Sequence, residues 1–167
     1  MIMKRLIIFY IILSFQSCSD EKLLIERTPY SGSELRIEGY YYIYDTDGTR
    51  IKFLYRNGIM IDFIGGFSTT NLIEIDQKIA DEYERWKNNK LIWQVFLIKG
   101  NSIQYSGWST SVGGGRPSFK TIGVIENDTT FRLTKSINSD GEEFERNDLY
   151  HFRQFSPKPD STNTFIK

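Results

Sequence analysis

Apolar and polar residues alternate along most of the chain, and this period of two predicts β-strands. From Leu35 to Ile43 the odd-numbered positions share one face and the even-numbered positions share the other. The alternation returns twice, and the dipeptides Asp47-Gly48 and Asn57-Gly58 separate the three runs. These dipeptides favour tight turns, because both central residues of a type I′ turn need positive φ. Residues 35–67 are therefore predicted to form an antiparallel three-stranded meander.

One segment has a different period. Apolar residues recur there at spacings of three and four, which predicts an amphipathic helix over about 71–89. Asn71 and Glu74 fit a capping box at its start. The apolar stripe consists of Leu72, Ile75, Ile79, Tyr83 and Trp86.

Five further strands are predicted after the helix, which brings the total to eight. They cover 91–98, 103–108, 119–126, 129–135 and 149–155. Eight antiparallel strands in up-and-down order can close into a barrel, which removes the free sheet edges. The predicted fold is mainly β, an eight-stranded antiparallel up-and-down barrel with one inserted helix. A β-sandwich is the alternative, since the pattern does not separate a closed sheet from two packed ones.

The N-terminus has the three-part layout of a secretory signal. Lys4 and Arg5 precede an apolar run over 6–13, and Ser17 stands before the only cysteine, Cys18. The run is too short for a membrane helix, which needs roughly 20 residues. The stretch before Cys18 resembles the bacterial lipobox, which implies cleavage after residue 17 and diacylglycerol on the cysteine.

We therefore expect a lipoprotein of the cell envelope, anchored in the outer membrane through Cys18. The acidic run that follows the cysteine resembles the surface-export signal of Bacteroidota lipoproteins, which implies display on the cell surface, with the periplasmic leaflet as the alternative. The predicted organisation is a signal peptide (1–17), a lipidated N-terminus and tether (18–34), a β-barrel domain (35–156) and a polar C-terminal tail (157–167).

Charge argues against nucleic acid as a partner. The signal peptide carries two of the 21 basic residues and none of the 21 acidic ones, which leaves the mature chain with a net charge of −2. A near-neutral domain without a basic cluster offers little to a phosphate backbone. The many aromatic residues instead suit strands, whose pleated surface packs them well.

No catalytic, metal or cofactor site is predicted. His151 is the only histidine, so the usual ligands of a zinc site are missing. There is no Gly-x-Ser-x-Gly elbow of a hydrolase. Asp45-x-Asp47-Gly48 lacks the first and last ligands of a calcium loop, and no Lys-Ser/Thr follows the glycines at 113–115 as in a phosphate loop. We expect no enzyme activity and no cofactor.

Residues at predicted turns and strand centres resemble a known group of proteins. Gly39-Tyr40-Tyr41 is similar to the Gly-x-Trp start of lipocalins. The second half of the chain looks like that of lipocalin-like lipoproteins of Bacteroidota. The residues that carry this resemblance are Trp93, Gly100-Asn101, Trp108, Asn127-Asp128-Thr129-Thr130-Phe131 and Tyr150-His151-Phe152. The resemblance covers most of residues 35–160 and implies a barrel at the cell envelope. Asp128-Thr129-Thr130 and Asp160-Ser161-Thr162 also resemble Bacteroidota O-glycosylation acceptors, which makes Thr129 and Ser161 candidates.

The predicted function is a membrane-anchored binding module for a small apolar or amphipathic ligand. A barrel of eight strands can hold one small ligand or be filled by side chains. The alternative is therefore a protein-docking lipoprotein with a filled barrel, such as an envelope complex component or an immunity-type protein. The candidate ligand pocket, on the faces assigned inward, consists of Ile37, Tyr41, Ile51, Phe53, Ile61, Phe63, Phe131 and Leu133.

Overall fold

A computed structural model of the protein describes residues 20–46, 48–63, 65–111 and 115–167. Eight antiparallel strands form a closed barrel in which each strand pairs with its neighbours in sequence and β8 closes on β1. The strands are β1 (Gly39–Asp45), β2 (Gly48–Leu54), β3 (Ile59–Asp62), β4 (Trp93–Lys99), β5 (Ser102–Trp108), β6 (Ser118–Asn127), β7 (Thr130–Asn138) and β8 (Glu143–Gln154). The predicted up-and-down barrel is confirmed.

The two ends of the barrel differ. The β1–β2, β3–β4, β5–β6 and β7–β8 connections all lie at one end of the barrel, which we call the mouth end. At the other end, residues 30–38 lie across the opening, and we call this segment the plug. The Arg36 amide donates to the Asp128 carbonyl (2.9 Å), and the Tyr41 hydroxyl donates to the carbonyls of both residues (2.9 and 3.0 Å). These bonds tie the plug to the β6–β7 turn and close that end.

The single described α-helix, α1 (Leu72–Trp86), lies between β3 and β4, and a 3-10 helix over Lys90–Ile92 leads into β4. The Asn71 side chain caps it by accepting from the amides of Ile73 and Glu74. Glu74 does not complete the predicted capping box but accepts from the Thr69 hydroxyl (3.0 Å). Ile75 and Ile79 are buried against the barrel, as the apolar stripe predicted. No helix among the described residues is long and apolar enough to cross a bilayer.

Two separate apolar clusters lie on the two faces of the barrel wall. The inner cluster takes residues from all eight strands and from the plug, including Tyr30, Leu35, Ile37, Tyr41, Leu54, Met60, Phe96, Ile103, Phe131, Leu133 and Tyr150. The outer cluster joins the outward faces of β1–β5 to α1 and to the chain ends, including Tyr40, Ile51, Phe53, Ile59, Ile61, Trp93, Val95, Trp108, Ile75, Ile79 and Ile166. Half of the outer wall is therefore as deeply buried as the interior.

The segments on either side of the barrel domain are packed against it. Leu23 and Ile25 contact the outer cluster, and Ile166 near the C-terminus is buried in it. The Tyr55 hydroxyl donates to the Pro159 carbonyl (2.8 Å). Residues 20–29 and 157–167, predicted as parts of a tether and of a polar tail, therefore pack on the barrel, because their apolar side chains complete the outer core.

Candidate binding site at the mouth of the barrel

A buried ion pair lies inside the barrel below its mouth. The Lys52 ammonium bonds the Asp62 carboxylate, and the two residues face each other across the β2–β3 pairing. The Lys52 side chain is only 3% exposed, while that of Asp62 is 24% exposed. The ammonium also lies 4.7 Å from the ring centre of Tyr105 and 5.5 Å from that of Tyr150. Because β5 and β8 are not neighbours of β2, these contacts cross the barrel interior.

The surroundings of Lys52 hold it in its charged form. Burial alone would lower the pKa of an ammonium, because it removes the charge from water. The negative charge of the Asp62 carboxylate is the largest opposing effect and, with smaller contributions from Tyr105 and Tyr150, it more than offsets the burial, so the pKa of Lys52 is raised. Burial raises the pKa of Tyr150 to about 12, although the nearby Lys52 charge lowers it. The interior thus holds a charged lysine beside the neutral phenol of Tyr150.

More charged side chains follow above this pair, towards the mouth. On β8 the Arg146 Nε donates to the Asp148 carboxylate (2.8 Å), which also lies 3.8 Å from the Arg50 guanidinium on β2. Arg50 in turn pairs with Asp45 at the end of β1 (3.0 Å). The lining therefore carries three cations and three carboxylates, counted with the Lys52–Asp62 pair. Its net charge is zero.

Neutral polar groups complete the lining. The Gln94 amide donates to the Asp62 carboxylate (3.3 Å), and the hydroxyls of Thr121 and Ser136 bond each other (2.9 Å). The Gln94 carbonyl oxygen is buried and has no hydrogen-bond partner among the described residues. An unpaired buried acceptor costs about 1–3 kcal/mol. A ligand that donates a hydrogen bond to it would recover this cost.

Two phenylalanines lie above the polar groups. Phe119 on β6 meets the Tyr105 ring edge-on at 6.2 Å. Phe144, at the mouth end of β8, pairs with Ser136 across the sheet and is 54% exposed. Beside the β1–β2 turn, a cleft of about 170 Å³ is lined by Asp45 and Arg50 together with Gly48, Thr49, Gly65 and Gly66. The mouth therefore combines charged groups below with an apolar rim.

The candidate ligand pocket predicted from the sequence is divided between the two clusters. Ile37, Tyr41, Phe131 and Leu133 belong to the inner cluster, where the Phe131 ring lies 4.9 Å from Tyr41 and stacks on Tyr150 at 5.1 Å. Ile51, Phe53, Ile61 and Phe63 belong to the outer cluster beneath α1. The prediction that all eight residues face inward is wrong, because Tyr41 pairs with Lys52 and not with an odd-numbered residue of β2.

The remaining candidates lie elsewhere. Cys18 lies outside the described residues. His151 is exposed on the outward face of β8, 5.9 Å from the Tyr42 ring. The Ser161 hydroxyl accepts from the Asn57 side-chain amide (2.9 Å), and the Thr129 hydroxyl donates to the Asn127 side chain (2.8 Å). In the described part of the chain, no group of three or more His, Cys, Asp or Glu residues could hold a metal ion.

The inward-facing charged residues of the mouth were not predicted from the sequence. Lys52 stands between Ile51 and Phe53, so the alternation places it on the face opposite to them. The candidate pocket was placed on the apolar face, which leaves Lys52 out. A two-residue turn pairs odd-numbered residues of β1 with even-numbered residues of β2, which puts Lys52 on the same face as Tyr41, a residue assigned to the interior.

A second cleft of about 450 Å³ lies outside the barrel, between α1 and the segment after β8. Its lining includes Ile79, Ala80, Tyr83, Phe155 and Pro157. It is the competing location for an apolar ligand.

Comparison with known proteins adds no function to this geometry. No protein-family model, no curated protein and no solved structure matches the chain.

Proposed function

We propose that this protein is a lipid-anchored envelope protein whose barrel mouth binds a small amphipathic molecule. The observation that carries the proposal is the charged and hydrogen-bonding lining inside the mouth, centred on the buried Lys52–Asp62 pair. A buried ion pair is a weak source of stability, because desolvation offsets the attraction between its charges. An ionisable group whose pKa is perturbed by burial and by a specific charge partner, as that of Lys52 is, is instead a candidate for a functional site.

The lining favours a particular ligand chemistry. Three cations balanced by three carboxylates give no net attraction to a ligand of high net charge of either sign, but they offer both donors and acceptors to a zwitterionic or neutral polar group. Such a group can accept from Arg146 and donate to the free Gln94 carbonyl. An apolar portion of the same molecule would contact Phe119 and Phe144 at the rim. Ligand entry deeper into the barrel is opposed by the packed rings of Tyr41, Phe131 and Tyr150.

The anchor in this proposal rests on the sequence around Cys18, which follows a signal-like apolar run. An acyl-anchored domain is beside a supply of amphipathic molecules. The outer membrane is the proposed location, with either leaflet as the attachment side.

A protein-docking function is the second candidate, and one observation favours it. Tyr44, Ile73 and Phe144 are large apolar residues with exposed side chains. Exposed apolar groups mark contact sites when they are contiguous. A docking function needs no ligand in the mouth.

Titration with an amphiphile tests the proposal. An environment-sensitive dye bound to the purified full chain is displaced by a zwitterionic lysophospholipid. Arg146→Gln is the test variant and Arg132→Gln is its matched control, since Arg132 is also paired with a carboxylate but points outward from β7. The two side chains are comparably exposed, at 30% and 34%.

We expect Arg146→Gln to weaken lysophospholipid binding about tenfold or more, because a hydrogen bond to a charged group contributes roughly 1.5–3 kcal/mol. Arg132→Gln should leave the affinity unchanged. Equal affinities for all three proteins, or no binding to the wild type, would rule out the mouth as the ligand site and leave the docking function.

A further inference from the structure

The first described residues form a strap that is bonded to the mouth end of the barrel. We define the strap as residues 20–29. The Asp20 carboxylate pairs with Lys90 (2.8 Å) and lies 3.6 Å from the Arg116 guanidinium. The Glu21 carboxylate accepts from the Ser118 amide (2.8 Å), and the Glu21 carbonyl accepts from the Trp108 indole (2.6 Å). Each of these partners stands at the mouth end of β4, β5 or β6.

The strap then runs along the outside of the barrel to the opposite end. The Leu24 amide donates to the hydroxyl of Ser106, within β5 (3.0 Å). The Arg27 Nε donates to the carbonyl of Asn57 in the β2–β3 turn (2.8 Å). That turn belongs to the plug end, where the Tyr30 amide bonds the Arg56 carbonyl (2.8 Å). The direction of the chain is therefore from mouth to plug.

This direction limits where a lipid on Cys18 can be. Cys18 is two residues before Asp20, and two residues span at most about 7 Å of extended chain. The attachment point is thus held near the mouth end, whatever path the intervening residue takes. An anchor on a long flexible linker would leave the barrel free to rotate, but the strap is bonded from its first described residue.

Exposed apolar side chains at the same end provide a second, independent observation. Tyr44 is the last but one residue of β1 and Phe144 is the second residue of β8, so both lie at the mouth end, and both side chains are exposed. Ile73 is exposed in the first turn of α1, which follows the loop that leaves β3 at the mouth. Aromatic side chains of this kind sit well at a membrane interface.

We infer that the strap holds the barrel with its mouth against the lipid surface that carries the anchor, so that the mouth takes its ligand directly from that surface. The inference rests on the proposed lipid anchor and adds an orientation to it. Asp140 and Glu142 lie on the β7–β8 turn at the same end, so the matching surface is zwitterionic and not strongly anionic.

The orientation can be read from two labelled positions. The only cysteine of the chain is consumed by the lipid, so an introduced cysteine is the only free thiol. Phe144→Cys reports on the mouth end. Val124→Cys is the control, because Val124 is 41% exposed and lies on β6 near the β6–β7 turn of the plug end. The full lipidated protein carries a thiol-reactive fluorophore at one of these positions and is placed in phosphatidylcholine vesicles with brominated acyl chains.

We expect bromine quenching at position 144 to be several-fold stronger than at position 124. A second pair, Tyr44→Cys at the mouth and Lys99→Cys at the β4–β5 turn, should give the same contrast if one of the first variants fails to fold. Ten Gly and Ser residues inserted between Cys18 and Asp20 should abolish the difference in quenching between the two ends, because a flexible linker of that length lets the barrel rotate.

Quenching that is equal at both ends, or stronger at the plug end, would overturn the orientation while leaving the proposed ligand site intact. An unchanged contrast after the insertion would overturn the role of the strap. The intact mass of the protein is measured first, and a mass without lipid would overturn the anchor and the orientation together.

Discussion

Removing one partner of the Lys52–Asp62 pair should be far more costly than removing both. Breaking a buried ion pair costs about 3–5 kcal/mol, because the remaining charge stays buried without a partner. Asp62→Asn should reach this range, since Lys52 is 3% exposed. Lys52→Met should cost less, about 1–3 kcal/mol, because Asp62 is 24% exposed and keeps the Gln94 amide as a donor. Lys52→Met combined with Asp62→Leu should return to within about 1 kcal/mol of the wild type or exceed it.

Urea unfolding followed by tryptophan fluorescence measures these free energies. The pH dependence of Asp62→Asn adds a further check. Without the carboxylate, burial lowers the pKa of Lys52 in the folded variant below its unfolded value of about 10.4. At pH values between this lowered pKa and about 10.4, the unfolded chain therefore binds more protons than the folded chain. The stability of this variant relative to the wild type should therefore rise as the pH rises towards 10.4. A cost below about 1 kcal/mol for Asp62→Asn, or no recovery in the double variant, would refute a buried charged pair.

Three other changes have defined outcomes. Burial lowers the pKa of Lys158 to about 8, so only the unfolded chain keeps the proton between pH 8 and about 10.4. The free energy of unfolding of the wild type relative to Lys158→Met should therefore rise across that window in urea titrations, and a difference that stays constant would show that the folded chain holds the lysine charged. Gly58→Ala should cost about 1–3 kcal/mol from positive φ and more from contact, since its Cβ would lie 2.3 Å from the Thr28 carbonyl oxygen. Gly141→Ala, with a similar φ and nothing within 4 Å, should show only the φ cost, and equal urea midpoints for the two would exclude the contact. Cys18→Ser should abolish incorporation of a fatty-acid probe in cells, and retained label would place the lipid elsewhere.

The alternation of side chains was sufficient to predict the eight strands, but it left a sandwich as the alternative to the closed barrel that the β1–β8 pairing forms. Each predicted strand overlaps an observed one, and the change of period at Leu72 correctly located the helix. The largest difference in length is in β8, which begins at Glu143 and not near residue 149. Its first half is polar and exposed, so it carries no apolar alternation by which a strand could be recognised.

The division between inside and outside was not predicted, for a physical reason. Alternation identifies the face of a strand that is buried, but a closed barrel has two faces that can both be buried. On β2, α1 and the chain ends cover Ile51 and Phe53, so the outer face is the more apolar one. The inner face carries Lys52, whose charge is met by Asp62 from the next strand. Only the pairing register, which brings residues from different strands together, reveals this arrangement.

The folded state of the strap was equally hidden in the sequence. Residues 19–34 are mostly polar, which is typical of a linker. Their order comes from partners far along the chain, such as Ser118 for Glu21 and Ser106 for Leu24. Long-range hydrogen bonds of this kind leave no local pattern.

The location of a bound amphiphile tests the central claim most directly. A zwitterionic lysophospholipid with a bromine on its acyl chain is soaked into crystals of the protein, and the anomalous signal locates the bromine. The account predicts a peak inside the mouth, between Arg146 and the Phe119 ring, with the head group within hydrogen-bond reach of Gln94. A peak in the cleft between α1 and Pro157, with an empty mouth, would contradict it.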